Sequence, residues 1–385
     1  MRILMLGLLS LLWILPSCKK TISTDEPLPK VRKQALYIST NNYNFISFDP
    51  ATGAKNWEVP LKGVNEGVPV VIKQTIYLLA KNGFLYGIDA ISGKIRLEKD
   101  MSLGTVLNVS VQPSLAVFGN SIMIANARLL KVDTLGNVMW SYDPGNECST
   151  SPTIANGKVY VGVKDGSIHA VDASSGTQAW TTTPIAFLDP NDIISSSPRV
   201  SGGLVYFGAD NKQVYAVNES NGNPKWSYTT GDKVQSSPLV YGGMCVIGSQ
   251  DFMVHCIDTT TGTKRWTYET SERVFSSPTI HELTNTVLVG SYDFNLYAID
   301  HVTGKLKWKY PAGSLIKSSP LVLDNFVYFT AFDRYLYCVD IRNGSLVWKS
   351  FLNGGSESSP FIDAVFNDQG QDIGLSPSIS GMSKY

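Results

Sequence analysis

The pattern Asp-x-x-x-Gly-x-x-x-Trp runs the length of the chain and limits its fold more than any other feature. Full copies are Asp49-Gly53-Trp57, Asp172-Gly176-Trp180, Asp258-Gly262-Trp266, Asp300-Gly304-Trp308 and Asp340-Gly344-Trp348. Asn218-Gly222-Trp226 exchanges the acid for its amide, Asp133-Gly136-Trp140 is one residue short, and Asp89-Gly93 leads to Leu97 instead of Trp. With Leu97 included, the closing positions follow one another at intervals of 40 to 46 residues. Such a period marks an array of supersecondary units, none able to bury its apolar face alone.

One unit reads as four short strands. Around Ser151-Pro152-Thr153-Ile154, Val159-Tyr160-Val161-Gly162, Ile168 to Asp172 and Trp180, β-branched and aromatic runs alternate with Asn-Gly, Asp-Gly and Ser-Gly turns. That is the signature of consecutive antiparallel hairpins. Four-stranded sheets repeated radially form a β-propeller. An open solenoid would need polar capping units at both ends, and neither end offers one.

A second marker, Ser-Pro or a relative, opens each unit at Pro69, Pro113, Pro152, Pro198, Pro238, Pro278, Pro320 and Pro360. Seven units run complete from proline to the Trp-type position. Leu36 to Trp57 supplies three strands without an opening strand, and Ser358 to Ile362 an opening strand with nothing after it. Joined, they make an eighth blade stitched from both chain ends, which removes the sheet edges that invite aggregation. The expectation is an all-β, eight-bladed propeller over residues 35–362.

Trp57, Trp140, Trp180, Trp226, Trp266, Trp308 and Trp348 are expected to dock on neighbouring blades, each indole N–H needing a partner. The turn Asp accepts backbone N–H groups and the Gly supplies positive φ. Leu97 marks a weaker seam. These motifs, with the Ser-Ser-Pro openings, resemble the tryptophan-docking repeats of the quinoprotein propeller superfamily. Two of its families share them: the quinone-dependent alcohol dehydrogenases and the BamB-type lipoproteins of outer-membrane protein assembly.

The N-terminus points toward the second family. After Met1-Arg2, the apolar run Ile3 to Leu15 suits a signal-peptide core and is too short to span a bilayer. Leu15-Pro16-Ser17-Cys18 resembles a lipobox, with Pro16 departing from the usual small or β-branched residue. Residues 1–17 read as a lipoprotein signal peptide, Cys18 as the lipidated residue, and 18–34, with Pro27 and Pro29, as a tether. By analogy with sorting signals, Lys19 and Lys20 favour an outer-membrane anchor facing the periplasm. The balance of 32 Lys+Arg against 32 Asp+Glu gives no net charge and nothing that favours nucleic acid. Residues 363–385 form a tail whose Ser376-Pro377 faintly echoes an opening.

Catalytic signatures are sparse. The five cysteines include no adjacent pair and no Cys-x-x-Cys-His, so the vicinal disulfide typical of the quinone enzymes and an attached haem domain are both missing. Cys256 and Cys338 share a column with Ala170, Ala216 and Ala298, a small-residue packing position. Cys245 and Cys256 lie on neighbouring strands, diagonal and awkward for a disulfide. His169 and His255 stand in a column of tyrosines, and no histidine spacing suggests a metal.

Two regions are candidates for function. Three residues before the opening prolines, Glu66, Gln235, Phe275, Lys317 and Glu357 vary while their flanks repeat, and this column is expected to ring the channel mouth. A quinone site would lie there, with Ca²⁺ held by several carboxylates. Glu66 and Glu357 alone are a thin set. The link Thr181 to Ser196 is longer than its counterparts and carries Phe187, Leu188, Ile193 and Ile194, candidates for a partner surface. The resemblance implies a non-enzymatic scaffold with protein partners, anchored to the membrane through lipid alone and needing no cofactor. A dehydrogenase using pyrroloquinoline quinone (PQQ) with Ca²⁺, or a saccharide- or peptide-binding lipoprotein, are the alternatives.

Overall fold

The computed structural model describes residues 34–102, 114–183, 185, 189 and 191–363. They form eight four-stranded antiparallel sheets and a single short 3₁₀ turn at Glu282–Thr284. Seven sheets are continuous in sequence. Blade 2, for example, comprises Val70–Ile72, Thr75–Leu79, Phe84–Asp89 and Ile95–Asp100. Blade 1 takes Leu36–Ser39, Asn44–Phe48 and Lys55–Pro60 from the N-terminal side and Phe361–Ile362 from the C-terminal side. Register pairs Leu36 with Ile362 and Tyr37 with Phe361, so the ring closes as the partial units require. No helix among the described residues is long and apolar enough to cross a membrane.

The tryptophan repeat is the seam between blades. Every docking indole donates its N–H to a carbonyl in the third-to-fourth-strand turn of the next blade, at 2.8 to 3.3 Å: Trp57 to Ala90, Trp140 to Ala173, Trp180 to Glu219, Trp226 to Thr259, Trp266 to His301, Trp308 to Ile341 and Trp348 to Pro50. The turn glycine serves two purposes. Gly176 has φ 75°, and a Cβ built on it would lie 2.7 Å from the Trp140 ring. Asp172 fixes the same turn, its Oδ1 accepting N–H groups from Ser174 and Ser175 at 3.0 and 2.8 Å.

Where Leu97 replaces Trp, other groups cover the gap. Tyr77 donates its hydroxyl to Thr134 O at 3.2 Å. The aliphatic stem of Lys99 lies over Gly136, and its ammonium reaches Asn137 Oδ1 at 2.8 Å. The Leu97 seam is therefore bridged by polar contacts that the Trp column alone does not reveal.

Each Ser-Ser-Pro opening makes two kinds of bond. Its first hydroxyl caps the second strand of its own blade: Ser196 accepts from Gly208 N at 2.9 Å, Ser236 from Gly248 N at 3.1 Å and Ser276 from Gly290 N at 3.1 Å. Its second accepts the backbone N–H of the matching position in the preceding blade. These bonds link Val68 to Ser114, Ser114 to Ser151, and onward through Ser197, Ser237, Ser277 and Ser319 to Ser359, at 2.7 to 3.2 Å. Only residues gathered about one axis can bond in this cyclic order, so the opening strands line the channel. In blade 3, Ser114-Leu115 occupies the Ser-Pro place, two residues after the expected Pro113, which lies outside the described residues.

Candidate functional site

The channel mouth is built by two loops per blade, the one entering the inner strand and the one joining the second and third strands. Backbone bonds tie them together: Lys81 N to Val64 O, Lys164 N to Glu147 O, Asp210 N to Ile193 O, Gln250 N to Lys233 O, Tyr292 N to Arg273 O and Phe332 N to Leu315 O. This stitching brings the variable column beside a second variable set, which the sequence did not single out.

Every expected mouth residue meets a partner from that set or from the adjoining blade. Glu66 pairs with Lys81. Lys317 pairs with Glu357 of the closing blade; burial would lower its pKa, but the Glu357 carboxylate holds it above the ordinary lysine value. Gln235 donates to Asp210 Oδ1 at 3.0 Å, and Lys233 bonds Asp192 and lies 4.0 Å from Asp210. Burial raises the Asp210 pKa, against the Gln235 bond and the lysine charge. Phe275 packs on Tyr292 with ring centroids 4.5 Å apart. Outside the column, Glu147 and Lys164 make a further pair.

A calcium–quinone centre asks for several oxygens free to converge on the ion. These carboxylates are instead engaged by lysines distributed around the ring. Among the described residues, no group of three or more His, Cys, Asp or Glu is placed to hold a metal ion. The donor set does not fit that centre.

The long link into blade 5 divides in two. Ile194 is fully buried, a correction to its expected place on a partner surface. It packs on Gly162 of blade 4, where an added Cβ would lie 3.0 Å from Ile194 and 2.6 Å from Thr150. The same position is filled by Val234 over Gly208, Val274 over Gly248 and Ile316 over Gly290. Apolarity at this site belongs to the inter-blade packing. Ile193 is half-buried, with its N–H 3.4 Å from Asp210 Oδ2, and Ile185 packs against the core of blades 4 and 5. Phe187 and Leu188 lie outside the described residues, as does Cys18.

The remaining reactive side chains are structural. Cys148, Cys245, Cys256 and Cys338 are buried and unbridged. Val246 stands opposite Cys256 and Ile257 opposite Cys245, which confirms the diagonal placement. Burial pushes the Cys148, Cys256 and Cys338 thiols up to about 12, far from the thiolate a nucleophile needs. His255 bonds Asp251 Oδ2 at 3.0 Å, as Tyr297 bonds Asp293 at 2.7 Å in the same column. His169 bridges Tyr142 and Ser167 at 2.8 and 2.9 Å.

A family model described as outer membrane protein assembly factor BamB matches residues 10–134, 109–187 and 164–366. The chain belongs to that family. It is 33% identical to the outer membrane protein assembly factor BamB of Salmonella typhimurium over 112 residues, 28% of this chain and 26% of the relative. It is 23% identical to the protein of that name from Moranella endobia over 163 residues, 38% of this chain and 41% of the relative. The chain thus spans well under two thirds of either curated relative. The crystal structure of BamB from Moraxella catarrhalis superposes with a TM-score of 0.62 at 17% identity, covering 76% of this chain and 92% of that one. A quinohemoprotein alcohol dehydrogenase from Comamonas testosteroni superposes equally well, with a TM-score of 0.63 at 14% identity over 84% of this chain and 70% of its own. At these identities the likeness shows the shared fold. The family assignment rests on the sequence model.

Proposed function

We propose that this BamB-family chain is a non-enzymatic scaffold lipoprotein, anchored through Cys18 to the outer membrane and facing the periplasm, that holds protein partners during outer-membrane protein assembly. The family match running from residue 10 to residue 366 carries the reading. The lysine-engaged carboxylates of the mouth support it, since among the described residues they leave no set of oxygens suited to the calcium of a quinone enzyme. A rigid ring with variable loops on one face positions a binding surface without placing demands on the core. Residues Thr181 to Ser196 supply a long inter-blade link, and Phe187 with Leu188 are its anchors.

Affinity purification of the wild-type chain from solubilised envelopes, followed by mass spectrometry, should recover components of β-barrel protein assembly. Cys18→Ser should release the protein from membranes on mild washing; retention in the pellet at high salt would count against the lipid anchor. A quinone absorbance on reconstitution with PQQ, together with a Ca²⁺-dependent rise in Tm, would overturn the scaffold reading.

A further inference from the structure

The eight inner strands are almost free of charge. They read Val70–Ile72, Ala116–Phe118, Thr153–Ala155, Arg199–Ser201, Leu239–Tyr241, Thr279–His281, Leu321–Leu323 and Phe361–Ile362. Arg199 is the one Lys, Arg, Asp or Glu among them. It opens the inner strand of blade 5 and is half-buried. Among the described residues, its guanidinium makes neither an ion pair nor a hydrogen bond. Burial draws its pKa down, and no neighbouring carboxylate opposes that effect. The nearby mouth acids are committed elsewhere, Asp192 to Lys233 and Asp210 to Lys233 and Gln235. An arginine withdrawn from water without a counter-ion costs stability, so its presence calls for an explanation.

The serine chain supplies a second, independent observation. Ser151, Ser197, Ser237 and Ser277 each accept one backbone N–H through Oγ. None donates its own proton to a protein acceptor among the described residues. All four are half-buried, at the openings of the strands that line the channel. Ser197 stands two residues before Arg199, and Ser237 accepts the Ser197 N–H at 2.9 Å. Ser197 two residues from the unpaired guanidinium, and Ser237 bonded to Ser197 N–H, keep hydroxyl protons free for an oxyanion that an arginine would attract. Arginine's planar fork suits a carboxylate or phosphate group.

We propose that the channel beneath the mouth is a binding site for an oxyanion group, with Arg199 as its counter-ion and the Ser197 and Ser237 hydroxyls as flanking donors. The site is independent of the scaffold reading, and a partner held on the outer loops leaves it unchanged.

Isothermal titration of the full chain bearing Cys18→Ser, with inorganic phosphate and with hexanoate, tests the site. One or both should bind saturably at a single site. Binding by phosphate alone identifies a free-phosphate chemistry, and by hexanoate alone a carboxylate on an apolar body. Arg199→Met should weaken binding about tenfold or more and, in anion-free buffer, raise Tm above that of the parent. Arg199→Gln should show the same loss, and supplies the comparison if the methionine variant folds poorly. Absence of saturable binding of either probe, or binding undiminished in both variants, would overturn the proposal. A lower Tm in both variants with unchanged titrations would make Arg199 a structural residue. Partner recovery should be the same in all these variants, which separates this test from that of the scaffold.

Discussion

The indole N–H of Trp348 donates to the carbonyl oxygen of Pro50 at 3.2 Å, joining residues 298 apart in sequence. The Tyr328 hydroxyl reaches the same oxygen at 3.0 Å. The contact that closes the ring is thus the one repeated at six other seams. Asp363 reinforces the closing blade from the inside, accepting Ala35 N–H at 3.1 Å and the Tyr37 hydroxyl at 3.0 Å. Closure therefore uses ordinary blade-to-blade chemistry, supplied by opposite ends of the chain.

Trp308 and Gly344 should behave as one unit. The Trp308 ring lies 2.5 Å from the place a Gly344 Cβ would occupy, and Gly344 has φ 72°. Trp308→Ala should cost about 3 kcal/mol, the lower end for a large buried aromatic because the ring is half-buried. Gly344→Ala should cost about 1–3 kcal/mol through strain and collision. Denaturant unfolding of the double variant should show clear non-additivity, since the collision disappears with the ring. Strict additivity would deny the docking contact.

Leu97 tests how far the seam can be restored. Its blade already uses Tyr77 and Lys99 to reach the next turn, and the Lys99 stem occupies the space over Gly136. Leu97→Trp alone should change Tm little, because the new ring must displace that stem. Leu97→Trp with Lys99→Ser should be more stable than either single variant. Thermal melts giving the single Trp variant the larger gain would show that Lys99 does not compete for the site.

Much of this was legible in the sequence, because the repeat reports contacts that recur with its own period. Eight blades, the shared closing blade and the Trp docking all follow from residues equivalent across units. What escaped was the identity of partners supplied by another unit. Ile194 reads as an apolar loop residue until Gly162 of the preceding blade is placed beneath it. The Ser-Ser-Pro openings were visible as a marker, but the cyclic bonds from Ser151 through Ser319 need the ring geometry to be recognised. At the mouth, the column containing Lys317 and Glu357 was legible, whereas Lys81 and Tyr292 belong to a different loop of each blade. Arg199 was hidden for a simpler reason: one arginine in a strand of three has no pattern.

The turn carboxylates should set the acid limit of stability. Asp258 is held down to about 2, first by its bond to Arg265 and then by the Thr261 N–H. Asp172 and Asp340 are also lowered, the first mainly by the Ser175 N–H and the second by the Arg342 side chain. A depressed folded-state pKa contributes stability that is fully present above the ordinary carboxylate value, about 4, and is lost as pH falls through the folded value. Tm should therefore decline between about pH 4 and pH 2. Asp258→Asn should melt lower at neutral pH and show a shallower decline in that window. An acid limb identical to wild type would remove Asp258 from the account.

Partner binding should depend on the long loop and not on the mouth. Interfaces concentrate binding energy in a few apolar anchors, with charged rim pairs adding little. Phe187 and Leu188 are two large apolar residues flanked by Pro184 and Pro190 in a long inter-blade link. Changing both to Ser should abolish partner recovery in a pull-down while leaving Tm nearly unchanged. Glu357→Gln breaks the Lys317 pair and, with Glu66→Gln, should leave recovery intact, because the mouth pairs shape the ring without forming the contact. If the glutamate variants lose the partner and the loop variant keeps it, binding lies at the mouth and the scaffold is used from its axis. A loop variant that loses both partner and Tm would show that Phe187 and Leu188 pack inward, as Ile194 does.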